Sequence, residues 1–341
     1  MRRRCLTGVF LILILTAFFT GCGTMKGIQD GPLWGEADVF DPADYPVLTL
    51  PADRPYRILV MADIQLKLNL FKNIRSFKAV RTLVEETDPD LILTVGDNTA
   101  TLQSPRLTRK LISLMESFGI PWGVVLGNHD SEGPADRYWH GNRYEEAKNS
   151  LFSAGPANIH GVGNYLIQLA DPEGTVQYGL VMMDSNVLRR YPEKKYYDFV
   201  YYDQMLWYRW VVEGLESEGG KPVPTMVFLH IPLPEYADAQ TLLDNPEAAS
   251  GPVFGVQREK VCAPLVNTGF FGVMKELEST THVFAGHDHI NSSSIPWEGI
   301  RLTYVLKTGP GSYHDGDLQG ATLVTVGPGD FSVEVEHVFL E

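Results

Sequence analysis

Four consecutive residues, Gly127-Asn128-His129-Asp130, bring together side chains that could perform metal-assisted hydrolysis. They follow the apolar run from Pro121 to Leu126, which predicts a buried strand. The end of such a strand would present an amide oxygen, an imidazole and a carboxylate at one point. Hydrolysis at a metal needs a hard ligand, a proton donor and a group that orients the donor. The four residues alone are equally consistent with a polar loop, so support must come from elsewhere in the chain.

Candidate ligands follow other apolar runs in the same way, each just after a predicted strand: Asp63, Asp97, His230, and the pair His287 and His289. Their donor atoms are oxygen and nitrogen without a thiolate, which suits a hard or borderline ion such as Mn²⁺, Fe or Zn²⁺. A single histidine is more often structural than bound to metal. Six candidate ligands in order, each after a buried run, favour a metal site instead.

These side chains need elements that bring their strand ends together. Strand and helix alternate early in the chain, with predicted strands at 56–62, 91–95 and 121–126 and helices at 73–86 and 107–118. Two successive strand–helix–strand units imply a parallel sheet, where ligand sites lie at the carboxyl ends of the strands. Asp63, Asp97 and Asn128 all fall at such ends, which predicts one shared site.

The later part of the chain is less regular. It predicts helices at 142–151, 203–216 and 270–278, strands at 164–169, 177–183, 225–229 and 282–285, and antiparallel strands at 302–307, 321–326 and 331–339. Strand-rich halves with flanking helices favour two packed sheets with helices outside. With 44% hydrophobic residues among 341, the chain can bury a sizeable core.

Some residues outside this order also invite a functional interpretation. For His140 and His314, a solvated or structural role is favoured over contact with a substrate. The aromatic residues between Tyr196 and Trp210 are expected to pack in a layer of the fold rather than to stack on a nucleobase. The segment 184–186 ends a strand, and a plain turn and a place near the metals are both open.

The N-terminus indicates a targeting segment. Three arginines precede an apolar run from Leu6 to Phe19 that is shorter than the roughly 20 residues of a membrane-spanning helix. The run ends in Phe19-Thr20-Gly21-Cys22, which resembles a bacterial lipobox with Phe19 in place of the usual leucine. This predicts a signal peptide over 1–21 and lipidation of Cys22, which would anchor the protein in the bacterial cell envelope, facing the periplasm or the outside. An ordinary signal peptide and an uncleaved anchor are the alternatives.

Residues 22–55 are rich in Gly, Pro and Asp and are interpreted as a tether that leads to a folded domain at 56–341. The net charge is −14, and loss of the signal peptide would make it more negative because three arginines and no acid would be removed. Such a charge argues against nucleic acid as a partner. It also argues against loose electrostatic docking on anionic lipid, so acyl chains on Cys22 would provide the attachment to the bilayer.

The order Asp-x-Gln, Gly-Asp, Gly-Asn-His-Asp, a lone His and Gly-His-Asp-His resembles the calcineurin-like metallophosphoesterase superfamily, over about Arg57 to Tyr304. Three stretches, 228–236, 267–271 and 286–291, look like the branch related to purple acid phosphatases. The resemblance implies an α/β fold, a four-layer α/β/β/α sandwich of two mixed sheets. It also implies a centre for two divalent metal ions between the sheets and hydrolysis of a phosphate ester.

The resemblance implies a set of ligands, with Asp97 bridging both ions. Asp63, Gln65 and His289 form what we call the first-ion half, and Asn128, His230 and His287 form the second-ion half. In this family a metal-bridging hydroxide attacks the phosphate ester. His129 would then be the general acid that protonates the leaving oxygen, and Asp130 would accept its other N–H.

Two residues depart from the family pattern. Gln65 stands where the family has histidine, and an amide oxygen binds a transition metal more weakly than imidazole does. Gln65 could ligate through its oxygen, leave its place to water, or only form hydrogen bonds near the ion. Ala100 stands where purple enzymes carry a metal-binding tyrosine, so the purple colour should be absent and iron is less favoured.

The leading hypothesis is therefore a metal-dependent phosphoesterase that acts on small phosphate esters. Gln65 motivates a rival from another class, an envelope lipoprotein that binds a metal or ligand but is catalytically impaired. A nuclease would use the same chemistry, but the acidic charge and the predicted envelope location disfavour it.

Overall fold

In a computed structural model of the protein, the structure describes residues 24–190 and 195–341. Within those ranges, no helix combines the length and the apolar composition that a membrane crossing requires. The predicted signal peptide and the lipidation site Cys22 lie outside the described residues. The six α-helices in those ranges are α1 Leu70–Thr87, α2 Ser104–Phe118, α3 Arg137–Glu145, α4 Tyr202–Gly219, α5 Glu235–Ala239 and α6 Phe270–Leu277.

The strands in the described ranges form two large sheets and one hairpin. A five-stranded sheet contains β2 Tyr56–Met61, β3 Leu91–Val95, β4 Trp122–Val125, β13 Gly320–Val326 and β14 Val333–Phe339. A seven-stranded sheet contains β1 Val47–Thr49, β5 Tyr165–Ala170, β6 Val176–Met182, β9 Thr225–Leu229, β10 Thr280–Ala285, β11 Ser294–Trp297 and β12 Ile300–Tyr304. The hairpin pairs β7 Leu188–Arg190 with β8 Lys195–Tyr197.

Both large sheets mix parallel and antiparallel pairs. The order β14-β13-β2-β3-β4 is parallel over its last three strands, and β13 runs antiparallel to β2. In the order β1-β5-β6-β9-β10-β12-β11, the central strands β6, β9, β10 and β12 are parallel. The predicted mixed sheets are confirmed, although the C-terminal part is not wholly antiparallel because β12 pairs in parallel with β10.

The seven-stranded sheet is covered by apolar side chains on both of its faces. Along β9, Met226 and Phe228 belong to the core between the sheets, whereas Val227 and Leu229 belong to a second core that also contains residues of α4 and α6. Side chains of a strand alternate between its two faces, so an unbroken apolar strand requires apolar layers on both. Helix α1 contacts the five-stranded sheet, which completes the predicted four-layer α/β/β/α sandwich.

Two predicted boundaries need correction. The helix expected at 142–151 begins earlier, at Arg137, because the Asp136 carboxylate accepts a hydrogen bond from the Trp139 N–H and caps the first turn. The segment expected to be a tether is part of the fold over the residues described. In it, β1 pairs with β5, and Phe40 and Leu50 are buried, so the domain starts well before residue 56.

Candidate metal centre

The candidate ligands come from the same end of the two facing sheets. Asp63, Asp97 and Asn128 follow β2, β3 and β4 of the five-stranded sheet. His230 follows β9, and His287 and His289 follow β10, in the seven-stranded sheet. All of these strands are parallel within their sheets, so their carboxyl ends meet at one edge, as the strand–helix alternation predicts.

The second-ion half converges on one atom, Nε2 of His230. It lies 3.2 Å from Oδ1 of Asn128, 3.3 Å from Nδ1 of His287 and 3.3 Å from Oδ1 of Asp97. The other ring nitrogen of His230 donates to the carbonyl of Val95 at 2.8 Å, because a carbonyl can only accept. With this bond made, the neutral ring carries its electron pair on Nε2, where a metal ion would bind. Without a metal, Asp97 outweighs burial and raises the pKa of His230 to about 9.

The first-ion half is built around Nε2 of His289. This atom lies 3.2 Å from Oδ1 of Asp63, and Nδ1 of His289 donates to the carbonyl of Tyr313 at 3.0 Å. The amide nitrogen of Gln65 lies 3.0 Å from the same Nε2 and 3.3 Å from Oδ2 of Asp97. The structure thus places Gln65 within the ligand cluster, between His289 and Asp97.

The backbone at the centre is held in an unusual conformation. Positive φ angles occur at Asp63 (52°), Gln65 (46°), Asp97 (52°) and His287 (76°), in the left-handed region that most residues avoid. Such residues cluster at functional sites because the surrounding structure must enforce them. Here the enforcement includes the N–H of His287, which donates to the Asp63 carboxylate at 2.9 Å.

Two glycines allow the ligand loops to approach each other. A Cβ atom at Gly96, where φ is 91°, would overlap the imidazole of His230, and a Cβ at Gly127 would overlap Asp97. Gly96 is required for both its conformation and its close approach, and Gly127 for its close approach alone.

The charges of the cluster favour carboxylates that stay ionised. Burial alone would raise the pKa of Asp63, but the neighbouring His289 and His230 bring it down to about 2. Burial opposes ionisation of Asp97 in the same way, and His230 holds the pKa of that carboxyl far below its usual range. His287 stays neutral because burial and the adjacent His230 lower its pKa to about 3.

The donor set fits the two divalent metal ions that this family of folds holds. Single donor atoms of Asp63, Asp97 and His230 lie within 4.8 Å of one another, and all three residues are buried. The Gln65 side-chain oxygen is buried and has no hydrogen-bond partner. Buried polar groups without partners are rare in proteins, and two ionised carboxylates this close to each other need compensating positive charge. Metal ions held by these residues would satisfy both.

His129 lies at the edge of the cluster and remains open to solvent. Its backbone N–H donates to Oδ1 of Asp97 at 2.8 Å, and its ring nitrogen Nε2 lies 3.8 Å from Oδ2 of Asp97. The side chain is 36% exposed, whereas His230 is completely buried. A group in this position can reach a substrate bound at the ligand cluster without being a ligand itself.

The expectation that Asp130 orients His129 is wrong. The Asp130 carboxylate turns back into its own loop and accepts from the N–H of Thr99 and of Gly127, both at 2.8 Å. Burial and the charge of Asp97 nevertheless raise the pKa of Asp130 to about 6. Instead, Oε1 of Glu132 lies 2.7 Å from Nδ1 of His129.

Two supporting residues have no recognisable sequence signal. Arg137 donates to the carbonyl of Gly127 at 2.8 Å and pairs with the buried Asp184, which ties α3 and the end of β6 to the Asn128 loop. Segment 184–186 therefore lies near the centre as a brace. Lys307 is buried and donates to the carbonyl of Asp63 at 2.9 Å. Burial lowers the pKa of Lys307 to about 8, although the carboxylates of Asp63 and Asp97 oppose this.

The remaining residues of interest divide between core and centre. His140 is buried, with Nδ1 3.0 Å from the Thr108 hydroxyl, and does not face the centre. His314 is partly exposed in the loop after β12. In the aromatic segment, Trp207 and Tyr208 are buried in the helical layer as expected. Tyr197 differs, because its ring packs edge-on against His287 with centroids 4.3 Å apart.

The fold and the facing ligand loops define the class of metallophosphoesterases. The chain belongs to the calcineurin-like phosphoesterase family, whose model matches residues 56–291. It is 33% identical over 257 residues to probable inactive purple acid phosphatase 14 of Arabidopsis thaliana, covering 69% of this chain and 61% of that protein. It is 30% identical over 238 residues to probable inactive purple acid phosphatase 29 of the same plant, covering 63% of this chain and 58% of that protein.

The chain therefore spans about three fifths of the length of these two relatives. Among solved structures it resembles a purple acid phosphatase from yellow lupin (Lupinus luteus) seeds with a TM-score of 0.52 and 11% identity. That match covers 86% of this chain and 52% of the lupin chain. The structural likeness confirms the fold. The two plant relatives confirm the predicted relation to the purple acid phosphatase branch.

Proposed function

We propose that this protein is a metal-dependent phosphoesterase that hydrolyses small phosphate esters, with His129 as the general acid. The observation that carries the proposal is the convergence of seven candidate ligands from two sheets beside one partly exposed histidine. Two divalent ions, when bound, activate water and neutralise the charge of the phosphoryl group. Mn, Fe and Zn are the ions whose preferences fit the nitrogen and oxygen donors.

The chain's own residues have separate tasks in this proposal. Asp97 contacts both halves and is therefore the residue positioned to bridge them. His129 carries a proton on Nε2 toward the solvent-open side of the cluster, where the leaving oxygen of a phosphate ester would depart as an alcohol. Donation from Nε2 requires the ring protonated on both nitrogens, and Oε1 of Glu132, 2.7 Å from Nδ1, would then orient the ring.

Replacement of His129 by Ala tests the proposed acid. Turnover of an aryl phosphate should fall by roughly 10²–10⁴-fold, because a positioned general acid contributes that much. The His140→Gln variant is the matched control, since His140 is a histidine outside the centre. Turnover of the His129 variant within twofold of the parent would remove His129 from this role.

A second candidate function is metal or ligand binding without turnover. Two observations favour it: the amide of Gln65 in place of an imidazole, and the word inactive in the names of the two plant relatives. The discriminating assay adds Mn²⁺, Fe²⁺, Zn²⁺ or Ca²⁺ to chelator-treated protein and measures hydrolysis of aryl phosphate mono- and diesters. Tight metal binding without turnover of any ester would establish the binding function and exclude the enzyme.

We also propose that the protein resides in the bacterial cell envelope, anchored to the bilayer through acylated Cys22. The basic, apolar and lipobox-like sequence before Cys22 supports this location. Mass spectrometry of the N-terminal peptide should find Cys22 as the first residue with acyl chains attached. A peptide that starts elsewhere, or an unmodified Cys22, would contradict the anchor.

A further inference from the structure

An exposed apolar rim borders the metal centre on the side of the first-ion half. We give the name apolar rim to five large side chains with solvent-exposed fractions between 55% and 81%: Leu68, Leu70, Phe71, Ile74 and Leu102. Four of them lie in the loop after Gln65 and the first turns of α1, and the fifth lies in the loop after Asp97. Scattered apolar residues are ordinary on a surface, but a contiguous group marks an interaction site.

The two loops that carry the rim are joined by backbone pairing. The N–H of Ala100 donates to the carbonyl of Leu66 at 2.8 Å, and the N–H of Leu66 donates to the carbonyl of Asn98 at 3.0 Å. Leu68 and Leu102 each lie two residues beyond this pairing. The rim is therefore one surface, attached to the same loops that hold Asp97 and Gln65.

The first turns of α1 expose large apolar side chains to solvent and bury polar ones. Its buried residues Asn73, Ser76 and Val80 face the sheet, so Leu70, Phe71 and Ile74 project away from it. A helix with an apolar outer turn in water loses the stabilisation that burial of those side chains would give. These residues contribute nothing to the described core, which indicates that another phase or partner covers them.

Basic residues are interleaved with the rim. Lys67, Lys72 and Arg75 alternate with the apolar residues along the chain. Burial and then the charge of Lys72 lower the pKa of Lys67, as expected for two neighbouring ammonium groups. The charge of Glu132, which contacts His129, acts in the opposite direction. This basic patch contrasts with the net charge of −14 and is the pattern of a surface that enters the headgroup region of a bilayer.

Met25, which follows Cys22 closely in the sequence, also lies at this face. The N–H of Asp136 donates to the carbonyl of Met25 at 3.0 Å, which fixes Met25 beside the loop 131–135. Gly133 of that loop packs directly on the backbone of Thr101, the neighbour of Leu102. The apolar run of residues 6–19 and Cys22 come just before this point in the sequence. Whether the run or an acylated Cys22 provides it, a hydrophobic anchor would leave the protein next to the rim.

We propose that the apolar rim is a bilayer-docking surface, which seats the mouth of the metal centre on the membrane so that it faces phosphate esters held at the lipid–water interface. Leu68, Leu70, Phe71, Ile74 and Leu102 would enter the acyl boundary, and Lys67, Lys72 and Arg75 would contact anionic headgroups. The docking itself does not depend on turnover, whereas the choice of interfacial esters rests on the proposed phosphoesterase function.

Tryptophan quenching in vesicles tests the docking. The full chain is reconstituted in phosphatidylcholine vesicles that contain anionic phosphatidylglycerol, with or without bromine on the acyl chains. A Phe71→Trp variant should lose at least half of its added fluorescence to brominated lipid. The matched control is Val39→Trp, since Val39 is 89% exposed but lies beside Phe40, which packs on α4 away from the rim. Equal quenching at both positions, or none at Phe71→Trp, would overturn the proposal.

A charge-introducing variant separates the possible outcomes. The reporter is an Ile74→Trp variant, whose tryptophan should be quenched by brominated lipid. Adding Phe71→Asp and Leu102→Asp to it should abolish that quenching, whereas adding Val39→Asp should leave it unchanged. Turnover of a water-soluble aryl phosphate without vesicles should stay within twofold, because neither residue touches the ligands. Sedimentation that shows a wild-type dimer dispersed by the double variant would assign the rim to a second copy of the chain and refute docking. An inactive but quenched protein would reject only the phosphoesterase function.

Discussion

The two halves of the metal centre have similar geometry but different chemistry. In the second-ion half, donor atoms of Asn128, His287 and Asp97 each lie within 3.3 Å of Nε2 of His230. In the first-ion half, distances are equally short, but the amide nitrogen of Gln65 faces His289 and Asp97. An amide can turn by 180° and exchange its oxygen and nitrogen. The half therefore keeps its shape, and we expect a lower affinity for a transition metal than with imidazole. Close packing of a site therefore does not measure its strength as a metal site.

The largest expected effect separates the two halves by metal titration. His230→Ala should weaken the tighter of two Zn²⁺ or Mn²⁺ binding steps by about 100-fold or more, because even residues that only orient ligands are worth 10–100-fold. His289→Ala should weaken the looser step and leave the tighter one within a few-fold. Calorimetric titration of chelator-treated protein measures both steps.

His282→Gln is the control for this titration, because His282 lies on β10 outside the centre. Equal losses in the tighter step for the His230 and His289 variants would show that the halves do not differ in strength.

Gln65→His should make the halves more alike. An imidazole in place of the amide is expected to tighten the looser binding step by roughly tenfold, about 1.4 kcal/mol, since nitrogen is the better donor for a transition metal. Gln65→Ala tells whether Gln65 is itself a ligand. If it is, the affinity of the looser binding step should fall; an unchanged affinity means that water takes its place. No gain in affinity on Gln65→His would place the weakness elsewhere.

Variants of Asp130 and Glu132, at the edge of the second-ion half, should affect different properties: the first stability and the second catalysis. Asp130→Asn places an NH₂ group against N–H donors, so the free energy of unfolding should fall by about 1–3 kcal/mol. Glu132→Gln should leave stability unchanged and lower kcat by less than tenfold, since Glu132 is 43% exposed. Urea denaturation and steady-state kinetics on both variants measure this, and the reverse pattern would restore Asp130 as the partner of His129.

The smallest effect concerns a histidine outside both halves. Burial and then the charge of Arg137 lower the pKa of His140 to about 4, so it is neutral in the fold at pH 5, whereas in the unfolded chain it is largely protonated. The unfolded state then binds more protons, and stability falls as pH drops from about 6.5 toward 4. His140→Gln should remove about 1–2 kcal/mol of the stability loss between pH 7 and pH 5, measured by urea denaturation with chelator present. An unchanged slope would show that His140 does not titrate differently on folding.

The sequence indicates where the candidate ligands lie because most of them directly follow an apolar strand, with a glycine before Asp97, Asn128 and His287. Parallel strands then place those ends together without further information, so the fold and its relation to the family follow from pattern alone. The partner of His129 could not be predicted, because Asp130 and Glu132 are both acidic and near, and only the turn geometry chooses between them. Arg137 and Lys307 reach the centre from distant segments, and no local pattern marks such contacts.

The left-handed backbone at Asp63, Gln65, Asp97 and His287 has a consequence for the amount of protein in a cell. Each such residue costs the metal-free fold on the order of 1–3 kcal/mol, and burial of the carboxylates adds to that cost. Metal ions that bind the folded chain more tightly than the unfolded chain would recover the loss by mass action. Because domains are only marginally stable, a shortage of metal would leave more chains open to proteolysis. Metal supply would thus set how much of this protein accumulates, in addition to how active each molecule is.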